Sequence, residues 1–240
     1  MSADLLTGDH HVHSTFSDDA HSTPAGNLAA AAALGLTELR MVEHVRATTT
    51  WLPGFVRAVR ELDPPEGLRV STGVETKILD ERGTLGLPAG DLGVDAVLVA
   101  DHQFPGPDGP WTPHRTARHL AEGGDPHRLL DRLLDALDRA VVHAAGRAAH
   151  VQVAHCFSIL PKVGLSEADL DDAQLDRWAS SLARSGAVLE VNEKWRCPAP
   201  RALRIADAAG IALVAATDSH IATDVGRYAW VRRTLTEVLA

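Results

Sequence analysis

Short apolar strands alternate with helical segments along almost the whole chain, and this alternation limits the possible folds more than any other feature. We predict about seven strands, at residues 9–12, 36–42, 68–74, 95–100, 151–154, 188–191 and 211–215. Helices are predicted between and after them, at residues 24–34, 55–62, 129–145, 171–185, 200–209 and 225–239. This alternation is typical of parallel strands joined by right-handed crossovers. The strands are expected either to close into an α/β barrel or to form an open, doubly wound sheet.

The composition fits one folded domain that spans residues 1–240. Single α/β barrels commonly reach this length. Hydrophobic residues make up 45% of the chain and charged residues 23%, which is ordinary for a globular protein and excludes a largely disordered one. Residues 105–113 are rich in Pro and Gly and are predicted to form a loop. The sequence contains no tandem repeat and no linker that would indicate a second domain.

The net charge and the lack of recognisable targeting signals limit the kinds of binding partner that we expect for this protein. A formal net charge of −9 disfavours binding to duplex nucleic acid, so we expect no nucleic-acid partner. A small anionic substrate stays compatible with this charge, because bound metal ions would make a site locally positive. Cys156 and Cys197 are too few for a disulfide framework and are expected to be reduced. Without a secretory signal or a bilayer-spanning apolar run, we expect a cytoplasmic protein with no membrane association and no obligate protein partner.

Side chains that bind metals follow nearly every predicted strand. They are His11, His13, Glu43, His44, Glu75, Asp101, His102, His155, Asp218 and His220. His11 and His13 alone would also fit an exposed strand, but Asp218 and His220 repeat the same spacing near the other terminus. Because the carboxyl ends of parallel strands lie on one face of a barrel, these residues are expected to meet there. Imidazole and carboxylate groups bind zinc, iron and manganese, so the sequence predicts a cluster of divalent cations.

A cluster of this kind suits the hydrolysis of a phosphoester. The reaction needs a nucleophile at neutral pH and positive charge on the phosphoryl oxygens, and paired metal ions supply both. The chain has no Gly-x-Ser-x-Gly nucleophile motif and no Walker-type phosphate loop. Three functions stay open: a phosphomonoesterase, a different metal-dependent hydrolase acting on a phosphodiester, cyclic phosphate or amide, and a metal-stabilised binding module without catalysis. We favour the first.

Six segments of the chain occur in an order that is typical of one enzyme family. They are HHVHSTFSDDA, GLTELRMVEH, GVE around Glu75, AVLVADH, VAHCF and ATDSH. Together they resemble the motifs of the polymerase and histidinol phosphatase (PHP) family of metal-dependent phosphoesterases, over residues 9–226. The resemblance implies a distorted (β/α)7 TIM-like barrel that holds two or three divalent metal ions, which we expect to be Zn, Mn or Fe.

The resemblance also implies a set of metal ligands. They are His11, His13, Asp19, His44, Glu75, His102, His155, Asp218 and His220. Glu75 is expected to bridge two ions, with His11, His13 and Asp218 completing one centre and His102 and His155 the second. Asp19, His44 and His220 would form the third centre. Some relatives match Asp18 instead of Asp19; we prefer Asp19, whose carboxylate would favour harder cations such as manganese.

Four residues beyond these motifs are candidates for substrate binding. They are Arg46, Gln103, Lys194 and Arg196. Histidinol phosphatases of the family bind phosphate through an arginine shortly after a Glu-x-Asn strand, and LEVNEKWRCP offers Lys194 and Arg196 there. The alternative for Lys194 and Arg196 is a solvated basic pair on a loop, and the alternative for Arg46 and Gln103 is packing at the rim of the site.

The expected reaction is attack of a metal-bound hydroxide on a small phosphomonoester, with Glu75, Asp218 and His220 taking part in catalysis. The substrate is expected to be histidinol phosphate or a sugar, nucleoside or secondary-metabolite phosphate. His220, His155 and metal-bound water are all candidates for protonating the leaving group, and the sequence does not choose among them.

Overall fold

The computed structural model describes residues 5–239. Nine strands occur in this part of the chain: β1 Gly8–Val12, β2 Glu38–His44, β3 Arg69–Lys77, β4 Ala96–Ala100, β5 Phe104–Gly106, β6 Gly109–Trp111, β7 His150–Ala154, β8 Val188–Asn192 and β9 Leu213–Ala216. The α-helices are α1 Pro24–Ala33, α2 Leu52–Arg60, α3 Pro113–Ala121, α4 Pro126–Ala145, α5 Asp172–Ser185, α6 Pro200–Ala208 and α7 Trp230–Val238. None of these helices is both long enough and apolar enough to cross a bilayer.

Seven of the strands form a nearly closed parallel barrel in the order β1-β2-β3-β4-β7-β8-β9. The seam is closed just beyond β9, where the His13 amide donates to the Ser219 carbonyl at 2.8 Å and the Ser219 amide donates to the His11 carbonyl at 3.3 Å. Asp9 reinforces the seam, because its carboxylate accepts hydrogen bonds from the amide and the hydroxyl of Thr217 at 3.0 and 2.6 Å. The predicted (β/α)7 TIM-like barrel is therefore confirmed, and the open sheet is not formed.

Small apolar side chains fill the inside of the barrel below its mouth. They are Val42, Ala96, Leu98, Ala100 and Ala154, all fully buried. A side chain at Gly73 would place its Cβ only 3.1 Å from Leu98 and 3.2 Å from Val42, so this level of the barrel is filled. The larger apolar core lies between the outer face of the strands and the helices. A chain of polar side chains, the half-buried Arg40 and the buried Gln152 and Glu190, is hydrogen-bonded within the same barrel. The metal-binding residue types occupy the end where the strands terminate.

Local signals set the helix ends. In α5, the Asp171 side chain accepts from the Gln174 amide while the Gln174 side chain accepts from the Asp171 amide, which forms a capping box. Gly186 ends this helix with a φ of +71°, a conformation that glycine adopts without steric cost. In α4, the Asp125 carboxylate accepts from two amides of the first turn. These ends agree with the predicted helices to within a few residues.

The structure corrects two predictions. Residues 105–113 do not form an irregular loop, because β5 and β6 pair there as an antiparallel hairpin that α3 follows directly. Only Thr116 of α3 is buried, so the helix lacks an apolar stripe and is fixed instead by a Thr112 cap and by Pro113 in its first turn. The last helix begins at Trp230 and not at residue 225, since residues 222–224 form a 3-10 turn.

Candidate metal centre

The nine predicted ligands lie together at the carboxyl end of the barrel. His11 lies near the end of β1 and His13 directly after it, and the register of β1 with β2 shifts between Asp9 and Val12. Both imidazoles are fully buried, and their Nε2 atoms are 3.0 Å apart. The remaining ligands come from β2, β3 and the segments that follow β1, β4, β7 and β9, so the barrel brings together residues separated by about 200 positions.

Glu75 occupies the middle of the group. Its Oε1 lies 2.9 Å from the Nε2 of His102 and 2.7 Å from the Nε2 of His155. Its Oε2 faces the other side, 2.7 Å from the Nδ1 of His44 and 3.5 Å from the Nε2 of His11. One carboxylate oxygen is thus directed to each of two groups of imidazoles, which is the geometry of a bridging ligand.

Asp218 and Asp19 extend the cluster on the side of β1 and β9. Asp218 Oδ1 lies 3.3 Å from the Nε2 of His13. Asp19 Oδ2 lies 3.4 Å from the Nε2 of His44 and 3.3 Å from that of His220. Asp18, the alternative to Asp19, is instead directed towards Arg46, and the two side chains are 3.9 Å apart at the exposed rim. The structure therefore places Asp19, and not Asp18, beside the imidazoles.

A second layer of polar side chains holds the imidazoles by their other ring nitrogen. His11 Nδ1 lies 2.9 Å from Glu190, which is fully buried on β8. His155 Nδ1 lies 3.0 Å from the Ser158 hydroxyl, which in turn donates to Asp101 at 2.8 Å. Such contacts fix the tautomer and leave Nε2 free to bind a metal ion.

His13 has a comparable but weaker support. Its Nδ1 lies 3.4 Å from the Ser17 hydroxyl, which donates to Glu43 at 2.5 Å. Glu43 in β2 and Asp101 just after β4 have carboxylates that could bind a metal ion, but both accept hydrogen bonds from serine hydroxyls that contact the histidines. They belong to this supporting layer and not to the group that faces the cavity.

The donor set fits divalent cations. Glu75 Oε2 is buried and accepts no hydrogen bond of good geometry, although the Nδ1 of His44 lies 2.7 Å away. A buried carboxylate oxygen in this state is costly unless another group, such as a cation, binds it. Close pairs of ring nitrogens, such as His102 and His155 with their Nε2 atoms 3.3 Å apart, direct lone pairs at a common space. Four triads in the described residues have ligand atoms within 4.8 Å of one another: His13–His44–His220, His11–His13–Asp218, His11–Glu75–His155 and His44–Glu75–His102. Bound cations would satisfy all of these groups.

The charges of the cluster agree with this arrangement. Burial alone would raise the pKa of Glu75, but His102 and His11 stabilise its carboxylate and hold the pKa well below its ordinary value. Asp218 behaves in the same way, since burial opposes ionisation while His13 and His11 lower its pKa. Both carboxylates are therefore ionised and ready to bind cations across the neutral pH range.

The backbone is strained at two of these residues. His155 has a φ of +29° and Asp218 a φ of +52°, values that residues other than glycine rarely adopt. His155 comes directly after β7 and Asp218 two residues after β9, where the chain must turn to direct the side chain inward. Strain of this kind concentrates at binding and catalytic sites.

The cluster forms the floor of a cavity of about 220 Å³. Of the four predicted substrate-binding residues, Arg46 and Lys194 line this cavity, whereas Gln103 and Arg196 are not among its lining residues in the described part of the chain. Trp195 also lines it, and its indole Nε1 donates to Asp218 Oδ2 at 2.6 Å. A cavity of this volume suits a small molecule.

Three further residues at this site are not among the predicted ones. Glu190 lies in mid-strand and supports His11, so its position could be recognised only from the contact between β1 and β8. Lys162 reaches Trp195 from the turn after β7, with its Nζ 4.0 Å from the ring centroid. Lys77 lines the cavity and could have been found, because it is two residues beyond Glu75 and alternate residues of a strand share a face.

Comparisons with solved structures identify the fold. Histidinol phosphate phosphatase from Lactococcus lactis subsp. lactis, in complex with zinc, L-histidinol and phosphate, matches with a TM-score of 0.61 and 17% identity over 97% of this chain and 92% of that one. A candidate histidinol phosphatase from Listeria monocytogenes matches with a TM-score of 0.67 and 16% identity, over 92% and 97% of the two chains. No protein-family model and no curated protein matches the sequence. The predicted likeness to PHP-type histidinol phosphatases is confirmed at the level of the fold.

Proposed function

We propose that this protein is a metal-dependent phosphatase that hydrolyses small phosphomonoesters. The observation that carries the proposal is the position of Glu75, whose two oxygens face separate groups of imidazoles on the floor of a small open cavity. Paired divalent cations bridged by a carboxylate are a common solution for phosphoester hydrolysis. The fold shared with a phosphatase structure that contains zinc and phosphate supports the same reaction.

Three groups of residues would hold the ions. His11, His13 and Asp218 would form the first centre with Glu75, and His102 and His155 the second, with Glu75 common to both. Asp19, His44 and His220 would form a third centre closer to solvent, because the Asp19 and His44 side chains are the more exposed ones. The ions in the zinc-containing neighbour favour zinc, whereas the carboxylate at Asp19 favours manganese or iron in the third centre.

The ions would lower the pKa of a water molecule and neutralise charge on the phosphoryl oxygens. Lys194 would add positive charge at the same place, since its Nζ lies 3.4 Å from Asp218 Oδ2 at the edge of the cavity. Trp195 would keep Asp218 in position through its indole hydrogen bond. Of the two histidines considered as proton donors, His220 lines the cavity while His155 is fully buried beneath it.

Metal removal and restoration test the proposal directly. The purified protein would be assayed for phosphate release from phenyl phosphate, several sugar and nucleoside phosphates and histidinol phosphate, with a phosphodiester and an amide as other substrate classes. We expect turnover of phosphomonoesters that a chelator abolishes and that added Zn²⁺, Mn²⁺ or Fe²⁺ restores. Metal content, measured by mass spectrometry on each sample, should follow the activity.

The result can contradict the proposal in two ways. Protein that contains two or more ions for each chain and releases no phosphate from any monoester would exclude a general phosphatase. Faster hydrolysis of the diester or the amide than of every monoester would assign the same cluster to a different reaction.

A further inference from the structure

Lysine is rare in this chain, and its placement is uneven. The sequence contains three lysines against 20 arginines. All three lie at the mouth of the barrel. Lys77 and Lys194 line the cavity. Lys162 lies against the ring of Trp195, and Trp195 also lines the cavity. A lysine is a compact charge on a flexible stem, suited to contacting an anion of variable position. The positive charge of this residue type is therefore concentrated where a ligand would bind.

Lys77 differs from the other two lysines in its contacts. The Nζ of Lys194 lies 3.4 Å from Asp218 and 3.2 Å from His220, and that of Lys162 lies 4.0 Å from the ring centroid of Trp195. Within residues 5–239, the ammonium group of Lys77 makes no hydrogen bond and no ion pair. A half-buried cation beside a ligand cavity loses part of its hydration without a protein partner, so an anion from solution can stabilise it.

The strand register sets the height of Lys77 above the cluster. His44 pairs with Glu75 across β2 and β3, and Lys77 is two residues beyond Glu75. A strand rises by about 3.3 Å for each residue, so Lys77 begins roughly 7 Å above the bridging carboxylate. Arg46, two residues beyond His44 in the chain, also lines the cavity. Lys194, which follows β8, lies on the opposite side of the mouth.

The upper wall of the cavity is positively charged. Glu75, Asp19 and Asp218 belong to the proposed metal sites. The other charged lining residues are one carboxylate, Asp18, and three cations, Arg46, Lys77 and Lys194. Asp18 is already directed towards Arg46. A substrate with a cationic organic part would be repelled from this wall, and one with a second anion would be attracted to it.

We infer that the substrate carries a second anionic group, a carboxylate or a further phosphate, which Lys77 binds roughly 7 Å from the phosphate that is removed. This inference rests on the proposed phosphatase function and specifies its substrate class. Lys77 is then a residue that determines specificity: it selects the organic part of the substrate, while the cluster below it acts on the phosphate.

Four matched esters test the inference. They are phenyl phosphate and its para-carboxymethyl, para-phosphonomethyl and para-aminomethyl derivatives, in which the methylene group keeps the acidity of the four phenols similar. We expect kcat/KM to be at least about tenfold higher for the two anionic derivatives than for phenyl phosphate, and lowest for the amine. The ratio of the carboxymethyl to the phosphonomethyl ester shows which second anion is preferred.

Substitutions at Lys77 should change this preference. In Lys77→Met, the ratio of kcat/KM between each anionic ester and phenyl phosphate should fall about tenfold, and Lys77→Arg should restore most of it. Arg232→Met is the matched control, since it removes one charge from an exposed position on α7 and should leave the ratio unchanged. Equal losses for all four esters in Lys77→Met would show that Lys77 binds the transferred phosphate and would overturn the inference. So would the absence of any preference in the unmodified protein.

Binding provides a readout that does not depend on turnover. Calorimetric titration of the metal-loaded protein with benzylphosphonate and with para-carboxymethyl-benzylphosphonate compares two non-hydrolysable ligands. We expect the carboxylate to strengthen binding about tenfold in the unmodified protein and to give no such gain in Lys77→Met. Equal affinities of the unmodified protein for the two ligands would contradict the role of Lys77 even if phosphate release were observed. A preserved gain without any hydrolysis would instead contradict the proposed function alone.

Discussion

A buried glutamate supports the histidines on each side of the barrel mouth, and the pKa values of the two glutamates are shifted in opposite directions. On the β8 side, Glu190 lies directly behind His11, and it also accepts hydrogen bonds from Gln152 and Asn192. On the β2 side, Glu43 reaches His13 only through the Ser17 hydroxyl and is otherwise bound by Ser14. Both glutamates are fully buried.

The neighbours of each carboxylate decide its charge. Burial opposes ionisation of both, but the His11 imidazole lowers the pKa of Glu190 below its ordinary value. Glu43 has mainly hydroxyl and amide donors, which do not offset burial, and its pKa rises to about 7. An anion behind His11 makes that imidazole a stronger metal ligand, whereas a neutral acid behind Ser17 only positions its neighbour. The two sides should therefore respond differently to the loss of their carboxylates.

The largest effect is expected where the two sides meet, at Glu75. Glu75→Ala removes the group that both imidazole sets share, so metal binding and activity should be lost together, with kcat/KM falling at least about a thousandfold. Metal content and phosphate release would be measured on the same preparations. Glu61→Ala, at an exposed position beyond α2, is the control. A fully metallated and active Glu75→Ala protein would refute the bridging role.

A smaller effect is expected for the support of His11. Glu190→Gln keeps the shape of the side chain and removes its charge, so metal affinity should fall by about 10- to 100-fold. Glu43→Gln should change affinity at pH 6 by no more than about threefold, because Glu43 is already largely protonated there. Competition with a chromogenic chelator measures both variants. Equal losses would show that the two sides give equivalent support.

The outline of the fold could be read from the sequence because its signals are local. The strand β4 is apolar throughout, and α5 carries its own capping box and a terminal glycine. The β5–β6 hairpin and α3 could not be read in this way. They are held by particular contacts, such as the hydrogen bond from the Trp111 indole to Asp108 and the packing of Arg115 on the same ring. Contacts of this kind have no hydrophobic period, which is the signal that a sequence pattern offers.

The candidate ligands were also accessible to sequence reasoning, for a topological reason. Parallel strands end on one face, so His155 and Asp218 could be placed beside His11 without knowledge of any distance. The supporting layer could not be placed in this way. Glu190 supports a histidine 179 positions away, and whether it faces the inside of the barrel depends on the register of β8.

The last effect is a difference in the pH dependence of stability between the two glutamates. The folded-state pKa of Glu43, about 7, is above the value of about 4.3 for an unfolded chain. Its contribution to stability is therefore complete below pH 4.3 and is lost as the pH rises to 7. Glu190 has a lowered pKa, so its contribution is present above pH 4.3 and is lost as the pH falls through the folded-state value.

The Glu43→Gln variant tests whether the pKa of Glu43 is raised in the folded protein. Glutamine resembles the protonated acid at every pH, so the free energy of unfolding of the variant should exceed that of the unmodified protein by only about 1 kcal/mol at pH 5 and by about 3 to 4 kcal/mol at pH 8. Denaturant unfolding at both pH values, with a chelator present to exclude metal binding, measures this change. Glu61→Gln removes an exposed charge and should show no such trend. A constant difference between Glu43→Gln and the unmodified protein across this range would mean that Glu43 is ionised throughout, and the two sides of the mouth would then be electrostatically alike.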